Sequence, residues 1–110
     1  MPLTNFYVGE SKDFSVTITY NGATPNITAD TIRWIVKENR SDLDTSAVIN
    51  VTADCVTNGA NGVAYVNVTP AETDITPGNY YWELVWNLAT GKEFVLEQDK
   101  IVLYERVEDV

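Results

Sequence analysis

Apolar and polar residues alternate with a period of two along most of the chain, the spacing that sends every second side chain to one face of a β-strand. In residues 14–20, Phe14, Val16, Ile18 and Tyr20 share one parity and Ser15, Thr17 and Thr19 the other. Residues 31–37 repeat the pattern, with Ile32, Trp34 and Val36 inward, Arg33 and Lys37 outward, and only Ile35 breaking the polar face. Residues 3–8 predict a short first strand, 47–55 a less regular one, and 63–69 another with Ala64, Val66 and Val68 on one side. The most aromatic strand follows, with Tyr80, Trp82, Leu84, Trp86 and Leu88 on one face and Tyr81, Glu83, Val85 and Asn87 on the other. A last apolar stretch is divided by the polar group Glu97-Gln98-Asp99-Lys100, which predicts a bulge or a switch between sheets.

The punctuation between these segments is turn chemistry. Thr76-Pro77-Gly78-Asn79 reads as a type II turn, with proline presetting the second position and glycine accepting positive φ at the third. Asn58-Gly59 and Asn61-Gly62 predict a hairpin joining the strands on either side of them. About seven strands without a convincing helix indicate an all-β chain, an immunoglobulin-like antiparallel β-sandwich. At 110 residues it is expected to be a single domain spanning 1–110. Its core is expected to contain Phe14, Val16, Ile18, Ile32, Trp34, Val36, Val66, Val68, Tyr80, Trp82 and Leu84.

Charge narrows the choice of partner. Seven basic against sixteen acidic residues give a net charge of −9, which repels nucleic-acid backbones and anionic membranes alike, so neither is expected as a partner. No segment reaches the roughly 20 apolar residues that span a bilayer. The start lacks the basic and apolar regions of a secretory signal, and cytoplasmic synthesis is expected.

Candidate chemistry is sparse. The absence of histidine removes the usual base near neutral pH and the commonest metal ligand. The lone Cys55 continues the parity of Ala47, Ile49, Val51 and Ala53 and reads as a small buried side chain. Asp42 with Asp44, and Glu72 with Asp74, are the nearest carboxylate pairs, but they fall in connections where the pockets that perturb catalytic acids are not expected. Asp42-Leu43-Asp44 also lacks the glycine and the further acidic ligand of a calcium loop. The asparagine-x-threonine or -serine triplets at Asn26, Asn39, Asn50 and Asn67 read as chance products of a threonine-rich chain. No enzyme, cofactor or metal is therefore expected. Aromatic residues on outward parities, Tyr65, Tyr81 and Tyr104, together with Val85, are the candidates for the apolar centre of a protein interface. Tyr7, Tyr65 and Tyr81 would serve equally in a sugar-binding module.

Ile75-Thr-Pro-Gly-Asn-Tyr80 resembles the corner of fibronectin type III domains, with one residue fewer between glycine and tyrosine. In that corner the tyrosine hydroxyl caps an upstream backbone group, and Tyr80 is the matching residue. Gly9-Glu-Ser-Lys-Asp-Phe-Ser, Ile32-Arg-Trp-Ile-Val-Lys, Thr73-Asp-Ile-Thr-Pro-Gly-Asn-Tyr-Tyr-Trp-Glu-Leu, residues 91–96 and Ile101-Val-Leu follow one another in an order similar to small immunoglobulin-like domains of bacteriophage tail and baseplate proteins. That resemblance implies a virion structural or assembly module, made in the host cytoplasm, that contacts other virion proteins and copies of itself. The alternative is a stand-alone carbohydrate-binding or adhesin-type sandwich.

Overall fold

The computed structural model describes residues 6–105. Seven strands form two sheets: β1 (Phe6–Tyr7), β2 (Lys12–Thr17), β3 (Thr31–Lys37), β4 (Ile49–Thr52), β5 (Val63–Val68), β6 (Gly78–Asn87) and β7 (Glu93–Tyr104). One sheet has the order β1-β7-β6-β3-β4 and the other is the pair β2-β5. All pairings are antiparallel except that of β1 with β7. The chain is thus an all-β antiparallel sandwich, as the alternation predicts. Residues 3–5 of the expected first strand, and the acidic tail beyond Glu105, lie outside the described residues.

The inward parities read from the sequence build the core. Ile32, Trp34 and Val36 of β3 meet Val16 and Ile18 from β2 and its continuation, Ala64, Val66 and Val68 of β5, and Tyr80, Trp82, Leu84 and Trp86 of β6. Trp34 is fully enclosed, and the Phe14 ring stands edge-on to it with centroids 5.6 Å apart. Phe14 itself is only half-buried, because β2 lies at an edge of its sheet. Cys55 is buried beside Ala53, as its parity predicts.

Three expectations are corrected. β4 and β5 do not form a hairpin: β4 pairs with β3 and β5 with β2, so the connection crosses from one sheet to the other. Just beyond β4, Asp54 makes an isolated bridge to Tyr65 of β5. Of the two asparagine-glycine pairs, Gly62 alone has positive φ, at +74°, and ends a short 3₁₀ turn over Gly59–Asn61. The second correction concerns Pro77-Gly78. Gly78 is the first residue of β6, opposite Leu103, with φ +154° in place of the roughly +80° of a type II turn. The third concerns only the place of the irregularity in the last strand: the expected bulge is present, but the strand runs unbroken through the polar group 97–100. Its irregularity lies one step earlier, where Leu84 pairs with Glu97 but Val85 pairs with Val95, leaving Leu96 as the extra residue of a bulge.

The turn before β6 is built by its own side chains. Thr69 and Glu72 cap each other: the Thr69 N–H donates to Glu72 Oε1 at 2.9 Å and the Glu72 N–H to Thr69 Oγ1 at 3.3 Å. Four residues after Thr76, the Tyr80 hydroxyl donates to the Thr76 carbonyl. This is the tyrosine anchor that the corner motif predicts. Burial pushes the Tyr80 hydroxyl pKa up, with the Glu38 charge adding to the effect.

Candidate protein-contact surface

The four residues expected to form an interface are scattered by the fold. Tyr104 is 46% exposed at the end of β7, its ring 5.7 Å from that of Tyr7 on β1. Tyr65 is half-buried on β5, and its hydroxyl accepts a 3.4 Å hydrogen bond from Asn58 Nδ2. Tyr81 is half-buried on β6, with the Arg40 guanidinium 4.8 Å above its ring. That cation–π contact occupies one face of the ring within the domain itself.

Val85 is no part of an exposed surface: it is 3% exposed. It does point to the outer side of the sheet, between Arg33 of β3 and Val95 of β7. Arg33 covers it by reaching diagonally across β6, with Nη2 3.4 Å from Asn87 Oδ1 and 3.8 Å from Glu93 Oε1. The apolar stem of the arginine is then spread over the valine while its head stays wet. Neighbouring Ile35 is enclosed on the same face, next to Lys37, which lies 3.9 Å from Glu83. Val85 and Ile35 are thus enclosed on the outer face among charged side chains of their own sheet.

Exposed apolar surface instead gathers at the start of β7. Phe94 faces inward by register, opposite Trp86, and Val95 faces outward, opposite Val85, yet they are 37% and 56% exposed. Adjacent residues on opposite faces are both uncovered only where the strand lacks cover on each side. Tyr20, 48% exposed in the turn after β2, packs with Phe94 and Trp86 at ring separations of 6.0 Å, and those two rings are 5.6 Å apart. Trp86 is fixed from beneath, its indole N–H donating to Asp30 Oδ2 at 3.0 Å while Asp30 Oδ1 accepts from the Ala89 N–H at 2.9 Å. The aromatic ridge is therefore carried on a rigid base. Parity alone marks Tyr20 and Phe94 as inward, so the only sequence signal for their exposure is that each ends or begins a strand.

A cleft of about 430 Å³ opens between the two sheets, lined by Val16, Thr17, Ile18 and Thr19 on one side and Leu84, Leu96 and Glu97 on the other. Among the described residues no group of three or more histidine, cysteine, aspartate or glutamate side chains is gathered where a metal ion could bind. No described helix is long and apolar enough to cross a membrane. Burial pushes the Cys55 thiol pKa up, so the thiolate is suppressed. No protein-family model matches the chain, and no curated protein matches it.

Proposed function

We propose that the chain is a non-enzymatic assembly module of a bacteriophage virion, in a tail, baseplate or head appendage, and that it acts by protein contact. The observation that carries the contact reading is the uncovered start of β7, where Phe94 and Val95 are open on opposite faces beside Tyr20. Aromatic and aliphatic anchors held on a rigid base are what the centre of a protein interface requires. The virion setting rests on the resemblance of the corner and strand motifs to immunoglobulin-like tail and baseplate domains. A charge of −9 agrees with a partner other than nucleic acid or anionic membrane.

The geometry favours this over glycan binding. Tyr20 and Phe94 are inclined at 51° and do not make a flat stacking platform, and Arg40 already covers one face of Tyr81. Sedimentation over a hundredfold range of concentration, with co-purification against the products of neighbouring genes, tests the proposal. Self-association or capture of a virion protein, weakened by Phe94→Ala, is the expected result. A strict monomer without such a partner, but with affinity for a cell-wall or capsular glycan, would assign the chain to the sugar-binding class.

A further inference from the structure

The contact reading leaves open how a partner engages the domain, and the edge of β2 answers that. The Ile18 N–H donates to Gly62 O at 2.9 Å, so in register with β5 the backbone groups of Phe14, Val16 and Ile18 point toward β5. Those of the intervening residues, Ser15, Thr17 and Thr19, point the opposite way. Tyr65 supplies a check on the far side of the pair: its N–H and C=O face away from β2 and bridge to Asp54. On its outer side β2 has no neighbouring strand among the described residues, and that side opens on the cleft shared with Leu84, Leu96 and Glu97 of the other sheet. The apolar part of its lining is Val16, Ile18 and Leu84, all buried, with Leu96 packed against the core, while Thr17, Thr19 and Glu97 make the rest polar.

We infer that this cleft accepts an extended segment of a different polypeptide, which adds to the two-stranded sheet as a third strand alongside β2. An outward row of N–H and C=O groups is matched only by another backbone in extended conformation, and the apolar part of the lining takes its alternate side chains. Chemistry also distinguishes the occupant from a second copy. Glu97 belongs to the lining and Asp99 follows it on the same side of β7, opposite Leu84 and Trp82, within a chain of net charge −9. An equally acidic second copy is disfavoured in this cleft, whereas a segment that alternates apolar residues and carries lysine or arginine is attracted. Tyr20 follows Thr19 of the lining directly and Phe94 precedes Leu96 by two residues, so their paired rings offer the segment an anchor. This inference rests on the contact reading and specifies the manner of contact.

Selection of displayed random twelve-residue peptides on the intact protein tests it. The expected winners alternate apolar and polar residues and include at least one basic residue. Their affinity should fall at least tenfold against Thr17→Pro, which removes an outward N–H without touching the ladder to β5. Thr52→Pro, on the far edge of the other sheet, should leave affinity unchanged. A second measurement needs no variant: N-methylation of alternate peptide bonds in the selected peptide should cost a similar factor. Failure to enrich any peptide, or equal binding to wild type and to a folded Thr17→Pro, overturns the cleft while the sedimentation and co-purification results still decide the contact reading. Self-association abolished by Thr17→Pro would also overturn it, by assigning the cleft to a second copy.

Discussion

The hydroxyl of Thr73 donates to the carbonyl of Glu10 at 2.7 Å across 63 residues of sequence, and in return the Gly9 N–H donates to Thr73 O at 3.2 Å. This reciprocal pair ties the corner before β6 to the turn between β1 and β2. Thr73 is fully enclosed and is the one buried polar side chain among the described residues. Thr73→Val keeps the shape and removes the donor, leaving a carbonyl without its partner, so a loss of about 1–3 kcal/mol is expected. For a domain of this size about 1 kcal/mol corresponds to roughly 4–8 °C in melting temperature, which a thermal melt resolves.

Gly78 and Gly62 separate backbone strain from crowding. A methyl group on Gly78 would meet nothing within 4 Å, but φ of +154° disfavours any L side chain, and Gly78→Ala should cost at least about 1 kcal/mol. At Gly62, with φ +74°, a Cβ would in addition lie 3.1 Å from Pro25 O and 3.3 Å from Ile18 O. Gly62→Ala should therefore be the more damaging of the two. Chemical denaturation of both variants gives the order directly.

Trp34 stands at the centre of the core, fully enclosed and braced edge-on by Phe14. Trp34→Ala is expected to cost about 3–5 kcal/mol, enough to unfold a domain at the marginal end of the usual stability range. The urea midpoint measures it. Phe14→Leu should be far milder, since Phe14 is only half-buried and retains apolar bulk after the change.

Acid should weaken the link between the sheets at Asp54. Its carboxylate accepts hydrogen bonds from the Thr57 hydroxyl at 2.6 Å and from the Val56 and Thr57 N–H groups at 2.9 and 3.1 Å, and these hold its pKa below the usual carboxylate value. A group whose pKa is lowered by folding contributes stability that is complete above its unfolded pKa and disappears as pH falls through the folded one. Asp54→Asn keeps an acceptor for the turn but cannot titrate. The stability gap between wild type and this variant should be widest at neutral pH and close on acidification, as urea melts along a pH series would show.

Much of the fold is legible in the sequence because it is set by local pattern. β3 follows its alternation to the residue, and the Pro-Gly-x-Tyr segment marks both the start of β6 and the Tyr80 anchor. What is illegible depends on remote partners. Asparagine-glycine chemistry specifies a reversal of the chain but not which sheet each arm joins, and so β4 and β5 read as a hairpin. Val85 reads as a surface residue because nothing near it in sequence reveals that Arg33, from another strand, will be drawn across it by Asn87 and Glu93. The exposed ridge is illegible for a related reason. Phe94 shares the inward side of Trp86 by its pairing, and its exposure comes from the lack of cover by the two-stranded facing sheet, which is a property of topology.

Leu96 acts as a phase shift in the last strand. Counting in twos from Phe94, opposite Trp86, leads to Leu96, Gln98 and Lys100, whereas the side chains that enter the core further along are Ile101 and Leu103. The single additional residue reconciles the two halves: an apolar ridge at one end and a core strand at the other share one continuous backbone although their residue numbers differ in parity. Deleting one residue here would force a choice between them. Either the end of the strand would present Ile101 and Leu103 to water, or its beginning would turn Phe94 over to the side now held by Arg33.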